Sequence, residues 1–272
     1  TNNSEFSKKL SNLGDIYVND AFSCSHRAHA SVEGITKYIP SYFGLQITKE
    51  IEALKRITSE ITKPVSLIIG GSKISTKISI INNLAKKFDN IIIVGGMANT
   101  MLKHTGYKIG KSICENDYGS LIKEILEISK KFNCRIVCPV DVVVSKSIEG
   151  AGKIKDIKEI NDDDIILDIG PKTISVIKKI INNSNTVLWN GPAGYFENPN
   201  FQAGTKEILE IIAQKTINDK IFSVAGGGET VAVINKFKKL DSFTFVSTAG
   251  GAFLEFLEGK TLPGIKALNQ NV

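Results

Sequence analysis

The sequence has 272 residues, of which 42% are hydrophobic and 23% charged, and its 34 Lys and Arg exceed its 28 Asp and Glu to give a formal net charge of +6. This composition excludes disordered, collagen-like and disulfide-stapled miniprotein classes, and the length allows one large or two modest domains. Basic residues are interspersed with acidic ones, and no apolar run reaches the ~18–20 residues that span a bilayer, so neither nucleic acid nor a membrane is an expected partner.

The first 42 residues do not share the pattern of the rest of the chain. Helical periodicity predicts a helix over residues 4–13, and a short strand is predicted over residues 16–18. A segment this short cannot readily build its own core, so we expect it to be the end of a domain that begins before this sequence. Residues 45–61 carry apolar side chains at helical spacing, which predicts a long amphipathic helix that ends before Pro64.

From residue 63 onwards, short runs rich in Ile and Val alternate with segments of helical periodicity. Each run ends at Gly or Pro and lacks polar alternation, as expected of strands buried on both faces of a parallel sheet. The predicted strands are residues 65–69, 91–94, 135–138, 165–169, 186–189, 221–225 and 243–248. The predicted helices are residues 74–88, 121–132, 173–181 and 204–214. The alternation predicts an α/β fold with a parallel, Rossmann-like sheet and helices on both faces.

Glycine clusters follow four of these strands, at residues 70–71, 95–96, 226–228 and 250–251. The carboxyl ends of parallel strands meet at one edge of a sheet, where ligands bind. Glycine lets a backbone approach a phosphate closely, and the next helix offers free N–H groups. One cluster could simply make a turn between a strand and a helix, but four on one edge favour phosphate or nucleotide binding.

Charged side chains accompany two of the glycine clusters. Lys73 and Lys77 follow the first one and would lie on one face of a helix start. Two ammonium groups at the positive end of a helix are unfavourable without an anion, which favours polyphosphate binding over a solvated pair. Glu229 follows three glycines, and it either holds Mg²⁺ beside phosphates or complements the helix dipole.

Two further motifs leave two interpretations open. Arg27 is one of only three Arg, within residues 19–31 (NDAFSCSHRAHAS). Its planar guanidinium suits a substrate carboxylate or phosphate, but it could equally pair with Asp20. Glu197 ends residues 189–197 (WNGPAGYFE), where it either accepts hydrogen bonds from ribose hydroxyls or belongs to a loop ordered by its own proline and aromatic residues.

Other patterns are interpreted as structural. Residues 106–112 (GYKIGKS) are one residue too short for a P-loop, and no G-x-G-x-x-G follows a strand, which argues against a nicotinamide dehydrogenase. Cys134 and Cys138 lack a second ligand pair, so we expect them in the core rather than on zinc. Four Cys in this length, without a basic-then-apolar leader, predict a cytoplasmic protein.

Together the motifs resemble the phosphoglycerate kinase family, in the family's order and over nearly the whole chain. The matching strings are residues 18–31 (VNDAFSCSHRAHAS), 70–78 (GGSKISTKI), 94–102 (VGGMANTML), 167–171 (LDIGP), 189–201 (WNGPAGYFENPNF), 225–234 (AGGGETVAVI) and 247–265 (STAGGAFLEFLEGKTLPGI).

The resemblance implies a two-lobed monomeric enzyme of glycolysis. The enzyme moves a phosphoryl group between 1,3-bisphosphoglycerate and ADP, giving 3-phosphoglycerate and ATP, with Mg²⁺ on the nucleotide. By resemblance, residues 1–42 are a remnant of an N-terminal α/β substrate lobe, and 43–62 form the interdomain helix. Residues 63–250 are the nucleotide lobe, and 251–272 are a tail that returns to the first lobe. We expect a fragment that binds nucleotide with little turnover; the alternative is a non-catalytic nucleotide-binding module.

The resemblance also implies roles for individual residues. Substrate binding falls to Arg27 and His26, and catalysis to Lys73, Arg27, Gly250 and Gly251. The implied nucleotide-binding residues are Gly71, Lys73, Lys77, Gly95, Gly96, Leu167, Asn190, Pro192, Glu197, Gly227, Gly228, Glu229 and Thr230. Glu229 is the implied metal ligand and stands where the family usually has Asp. Ala249 and Ser23 stand where the family commonly has Gly.

Overall fold

In the computed structural model, residues 1–116 and 118–269 are described, and they form two compact units. The first unit comprises Thr1–Glu60 and the described residues from Ser247 onward, and the second unit is Ile61–Val246. Within the described ranges, no helix combines the length and apolar character needed to cross a membrane.

The helices of the described residues are α1 (Ser4–Ser11), α2 (Leu45–Thr58), α3 (Ile78–Leu84), α4 (Gly95–His104), α5 (Gly119–Phe132), α6 (Pro171–Asn182), α7 (Ala203–Asp219), α8 (Gly228–Lys236), α9 (Gly251–Leu257) and α10 (Pro263–Asn269). The strands are β1 (Tyr17–Asn19), β2 (Ser41–Phe43), β3 (Val65–Ile69), β4 (Asn90–Ile93), β5 (Arg135–Val137), β6 (Asp141–Ser145), β7 (Lys153–Asp156), β8 (Ile165–Ile169), β9 (Thr186–Asn190), β10 (Phe222–Gly226) and β11 (Phe245–Ser247).

A sheet of six described strands, in the order β11-β10-β9-β3-β4-β5, organises the second unit. The pairs β10–β9, β9–β3, β3–β4 and β4–β5 are all parallel. Every residue of β3, β9 and β10 is buried, as expected of strands covered on both faces. The predicted α/β fold with a parallel sheet is confirmed, and the carboxyl ends of these strands lie along one edge.

One predicted strand belongs to a different sheet. Ile165–Ile169 is β8, which pairs antiparallel with β6 in a separate sheet of the described residues, ordered β7-β6-β8. Its first three residues are half-buried, so this strand is not enclosed like β3. Its assignment to the parallel sheet was wrong because a short apolar run does not identify its pairing partner. The sequence reading also missed β6, β7 and β2.

The helix predicted over residues 74–88 is shorter than its periodicity indicates. α3 begins only at Ile78, and the preceding residues 72–77 form a loop that ends in a turn over residues 75–77. Lys77 donates its backbone N–H to the Ile74 carbonyl at 2.9 Å. The apolar positions still face inward, because Ile74, Ile81 and Leu84 are all buried. Lys73 therefore lies on a loop and not on a helical face.

Two hydrophobic clusters stabilise the second unit. The larger packs around the sheet, where the fully buried Trp189 stacks on Phe243 with ring centroids 6.1 Å apart. The smaller joins α4 to the antiparallel sheet through side chains such as Leu102, Val142 and Val144. In the first unit, β1 and β2 pair in parallel, and Phe22 contacts Phe256 of α9 with ring centroids 6.5 Å apart.

Candidate functional site

A cavity of about 300 Å³ lies in the second unit, beside the carboxyl ends of β3, β4 and β9. Its wall is mostly apolar, a character typical of pockets for small organic ligands. Many residues predicted to bind nucleotide line it: Gly71, Gly95, Gly96, Leu167, Pro192, Glu197 and Glu229. The fold therefore brings together glycine clusters that are far apart in the sequence.

The ends of β3 and β9 approach so closely that only glycine fits between them. The Gly70 backbone N–H donates to the Asn190 carbonyl at 2.8 Å. A Cβ at Gly70 would clash with the carbonyl oxygen of Pro192, and one at Gly191 would clash with the backbone of Gly70. Gly191 also has φ of +102°, which side-chain-bearing residues rarely adopt. This contact places Pro192 on the cavity wall.

The start of α4 forms the next part of the wall. Gly95 has φ of +66°, and Met97 donates its backbone N–H to the Gly71 carbonyl at 2.9 Å. A Cβ at Gly96 would lie 2.8 Å from Cδ1 of Ile113, so the Ile113 side chain packs directly over this glycine. Ile113 lines the cavity, although the sequence analysis did not single it out.

The two predicted lysines have different surroundings. Lys77 donates from Nζ to Oδ1 of Asn190 at 2.5 Å, and Asn190 in turn donates from Nδ2 to the Gly226 carbonyl at 2.6 Å. Asn190 is only 2% exposed, and this chain of hydrogen bonds joins the loop after β3 to the last residues of β9 and β10. Lys73 is exposed, and its ammonium makes no hydrogen bond or ion pair with the described residues. It is therefore available to an anion.

The turn between β10 and α8 combines an anchored side chain with open backbone. Thr230 is buried, and its Oγ1 accepts the backbone N–H of Gly191 at 2.7 Å. Gly227 has φ of +96°, and a Cβ at Gly228 would meet no atom within 4 Å. The backbone at Gly228 thus faces open space, and the Glu229 carboxylate that follows is exposed on the cavity wall.

The remaining predicted residues lie in the first unit. Arg27 Nε lies 3.3 Å from His26 Nε2, and this ring nitrogen would lie 3.4 Å from a Cβ built on Gly251. Gly250 precedes it with φ of +58°. Asp20, the alternative partner of Arg27, instead caps α2 by accepting two backbone N–H groups, from Gln46 at 2.6 Å and Ile47 at 3.1 Å. The Arg27 guanidinium remains exposed.

Two acidic residues near the cavity were missed by the sequence analysis. Asp168 is buried on the cavity wall and accepts N–H groups from Gly204 at 2.7 Å and Ile169 at 2.9 Å. Burial raises the pKa of Asp168 to about 7, although these hydrogen bonds oppose the shift. The sequence feature that could have identified Asp168 is its carboxylate within the otherwise apolar string LDIGP. Glu115 accepts hydrogen bonds from Ser75 and so holds the loop around it. No local sequence feature indicates this role, because the two residues are 40 positions apart.

The donor set that could hold a metal consists of carboxylates on the cavity wall. Within residues 1–116 and 118–269, no three His, Cys, Asp or Glu side chains converge on one point. Glu229 and Glu197 each place a carboxylate on the cavity wall. Mg²⁺ is usually held by one or two carboxylates together with waters and substrate phosphates, so this donor set fits a metal that arrives with a nucleotide.

Comparison with known proteins identifies the family. A sequence model of the family described as phosphoglycerate kinase matches residues 1–260. The chain belongs to the phosphoglycerate kinase family. Members are kinases, that is phosphotransferases of glycolysis that bind ATP, and the resemblance inferred from the motifs is confirmed.

Relatives and solved structures of phosphoglycerate kinases agree over almost the entire chain. The Xanthobacter autotrophicus enzyme is 46% identical over 98% of this chain, and that of Caulobacter vibrioides is 47% identical over 98%. The chain spans 68% of each of these relatives. The structure from Coxiella burnetii matches with a TM-score of 0.94 and 42% identity, covering 99% of this chain and 69% of that one. The structure from Pyrococcus horikoshii matches with a TM-score of 0.83 and 30% identity, covering the same shares.

Proposed function

We propose that this chain binds Mg-ADP or Mg-ATP in the cavity of the second unit. We further propose that it is the nucleotide-binding part of an enzyme that transfers a phosphoryl group reversibly between 1,3-bisphosphoglycerate and ADP, giving 3-phosphoglycerate and ATP. One observation carries the proposal. Glycine turns from three parallel strands enclose an apolar cavity beside Lys77, which is held by Asn190, and Lys73, whose ammonium has no partner among the described residues.

Different parts of the cavity wall suit the base, the ribose and the phosphates of the nucleotide. Adenine fits the apolar section formed by Gly71, Gly95, Gly96, Leu167 and Pro192, because a flat base needs close backbone approach on both faces. Glu197 accepts hydrogen bonds from the ribose hydroxyls. Phosphates meet the Lys73 and Lys77 ammonium groups, the Asn190 amide and the backbone from Gly227 to Thr230.

Glu229 is the proposed metal ligand. Bound Mg²⁺ would neutralise phosphate oxygens during the transfer. The Glu229 side chain is exposed, no described residue hydrogen-bonds its carboxylate, and it has the length to reach a nucleotide-bound ion through one extra methylene relative to Asp. Its carboxylate is thus free to coordinate.

The reaction needs positioning and charge neutralisation more than proton transfer. The attacking group is an ADP phosphate oxygen when ATP is formed and the carboxylate of 3-phosphoglycerate in the reverse direction. Both are ionised at neutral pH, so no general base is required. Lys73 follows the transferred phosphoryl group and stabilises its oxygens, as does the backbone at Gly250 and Gly251. Arg27 and His26 bind anionic groups of the glycerate substrate.

Turnover by this chain alone is expected to be small, because it spans 68% of the length of its relatives. We propose that it acts as a monomer in the cytoplasm. The alternative is a non-catalytic nucleotide-binding module on the same fold, which would tolerate loss of Lys73. Activity and binding must therefore be measured separately.

The binding test is calorimetric titration of this chain with MgADP. Saturable heat at or below millimolar nucleotide is expected, and no heat at that concentration overturns the proposal. Lys73→Ala should largely spare MgADP affinity, because Lys73 serves the transferred group. Lys178→Ala, which removes an exposed lysine of α6, is the matched control.

The activity test uses a fusion that adds to this chain the N-terminal region of a relative, which this chain does not match. The N-terminal third of the Caulobacter vibrioides enzyme is fused ahead of Thr1, and ATP formation from 1,3-bisphosphoglycerate and ADP is followed. Turnover that Lys73→Ala abolishes and Lys178→Ala leaves intact supports the enzyme. MgADP binding without turnover in a folded fusion would favour the non-catalytic module.

A further inference from the structure

One short segment contacts both the apolar cavity and the loop that carries Lys73. We call residues 113–115 the bridging segment and residues 72–77 the lysine loop. At one end of the bridging segment, the Ile113 side chain lines the cavity and packs over Gly96. At the other end, the Glu115 carboxylate binds Ser75 in the lysine loop.

The contact between Glu115 and Ser75 uses both carboxylate oxygens. Ser75 donates its hydroxyl to Oε1 at 2.6 Å and its backbone N–H to Oε2 at 3.0 Å. Partial burial raises the pKa of Glu115, but the hydrogen bonds from Ser75, together with others involving Tyr118 and Ile74, outweigh that effect and hold the pKa below its usual range. Hydrogen bonds to an ionised acceptor are stronger than neutral ones, so the carboxylate is an effective anchor.

The bridging segment is itself fixed to the buried face of α4. Asn99 donates from Nδ2 to the Ile113 carbonyl at 3.0 Å, and Thr100 accepts the Glu115 backbone N–H on Oγ1 at 3.1 Å. Both side chains are buried. The helix that supports the segment begins at Gly95 on the cavity wall, so the cavity and the anchor share one rigid support.

Apart from Ser75, the lysine loop is held by the buried Ile74 side chain and by the hydrogen bond from Lys77 to Asn190. It precedes α3, and its internal hydrogen bonds are short-range ones, such as the Thr76 hydroxyl to the Lys73 carbonyl at 2.9 Å. Lys73 lies two residues before Ser75, and its ammonium has no partner among the described residues. The hydrogen bonds between Ser75 and Glu115 tie the backbone two residues after Lys73 to the bridging segment.

We propose that Glu115 is a positioning residue for the lysine loop, which carries Lys77 as well as Lys73, and that the bridging segment couples adenine in the cavity to the geometry of this loop. This rests on the proposed nucleotide site. A base packed against Ile113 fixes the segment, the segment fixes Glu115, and Glu115 holds the lysine loop where the phosphates lie. Loss of Glu115 should weaken binding of phosphates and leave binding of the base intact.

The first test compares adenosine with MgADP by calorimetry. Glu115→Ala should lower MgADP affinity by about tenfold, the effect of losing one charge-assisted anchor, while adenosine affinity stays within about twofold. Glu115→Gln keeps one acceptor oxygen, so its MgADP affinity should lie between those of the unmodified chain and Glu115→Ala. Glu124→Gln is the control, because Glu124 accepts a hydrogen bond from Asn82 of α3 at 2.7 Å without touching the lysine loop.

The second test measures hydrogen exchange of the lysine loop without phosphates present. In the free chain, Glu115→Ala should speed exchange of the peptide that contains the Ser75 amide, and Glu124→Gln should not. Adenosine should slow exchange of that peptide in the unmodified chain and should have no effect on it in Glu115→Ala. Ser75→Ala leaves the carboxylate in place and should give a smaller effect than Glu115→Ala.

The outcomes separate the two proposals. Equal losses of adenosine and MgADP affinity in Glu115→Ala would show a general structural role and overturn the inference, as would unchanged exchange in the lysine loop. Binding of neither ligand by the unmodified chain overturns the proposed function, and this inference with it. Selective loss of MgADP affinity together with loss of adenosine-dependent protection supports the inference.

Discussion

Glu50 is a buried acid on α2, in the first unit, with 2% of its surface exposed. Its Oε2 atom has no hydrogen-bond partner within the described residues. Burial raises the pKa of Glu50 from 4.5 to about 7, although a hydrogen bond with Ser247 opposes the shift. Between these two pKa values the folded state binds more protons than the unfolded chain, so the free energy of unfolding falls as pH rises.

Glu50→Gln should remove this pH dependence. Relative to the unmodified chain, the variant should gain stability as pH rises from about 4.5 to about 7, reaching a difference of roughly 3 kcal/mol that stays constant above pH 7. Urea unfolding at pH 5, 6, 7 and 8 measures the difference. The exposed Glu52 on the same helix provides the control Glu52→Gln. Parallel pH profiles for the two variants would contradict the prediction.

Trp189 is the single Trp of the chain and combines packing with a hydrogen bond next to the cavity. Its ring stacks on Phe243, and Nε1 donates to the Gly191 carbonyl at 2.9 Å. Trp189→Phe should cost about 1–3 kcal/mol, because it leaves a buried carbonyl unsatisfied and opens a small void. Urea unfolding followed by circular dichroism measures the cost. Phe132→Leu, at a partly exposed site, should cost less than about 0.5 kcal/mol; equal costs would contradict the prediction.

At the scale of elements, the cavity depends on the close meeting of β3 and β9. Gly70→Ala places a Cβ against the Pro192 carbonyl, and the strand ends must separate. We expect a loss of about 1–3 kcal/mol in stability and weaker MgADP binding. Gly119→Ala, where the new Cβ would meet His104 at an ordinary 3.7 Å, is the control. Urea unfolding curves measure the loss of stability, and calorimetry measures MgADP affinity. Unchanged MgADP affinity in Gly70→Ala would contradict the argument.

Element boundaries show where local patterns are reliable. β3 was predicted over its full range, because five consecutive apolar or small residues between Pro64 and a glycine pair leave little alternative. β8 has a similar local pattern but pairs with β6, so its partner could not be predicted. The helix predicted from residue 74 starts at Ile78, because Ser75 is held by Glu115 instead of by helical hydrogen bonds.

At the scale of the whole molecule, the second unit has the hydrophobic core that independent folding requires. The two hydrophobic clusters described above lie, within the described residues, entirely between Ile61 and Val246. A piece comprising these residues should therefore fold alone, and its Trp189 fluorescence should report a cooperative urea transition within about 1–2 kcal/mol of the full chain. A second variant, which lacks only Thr1–Glu60, is measured in the same way for comparison. A piece that is already unfolded without urea would contradict the prediction.

The sequence by itself determined the family, the α/β class and most strands of the parallel sheet, because ordered motifs and short apolar runs are local features. It also indicated the glycine turns that line the cavity, whose binding roles stay predictions. Only the tertiary structure decided that Lys77 bonds to Asn190, 113 residues away, and that Glu115 reaches Ser75. It likewise decided that β8 pairs with β6. Such contacts depend on how elements pack in space, and no local pattern specifies the partner.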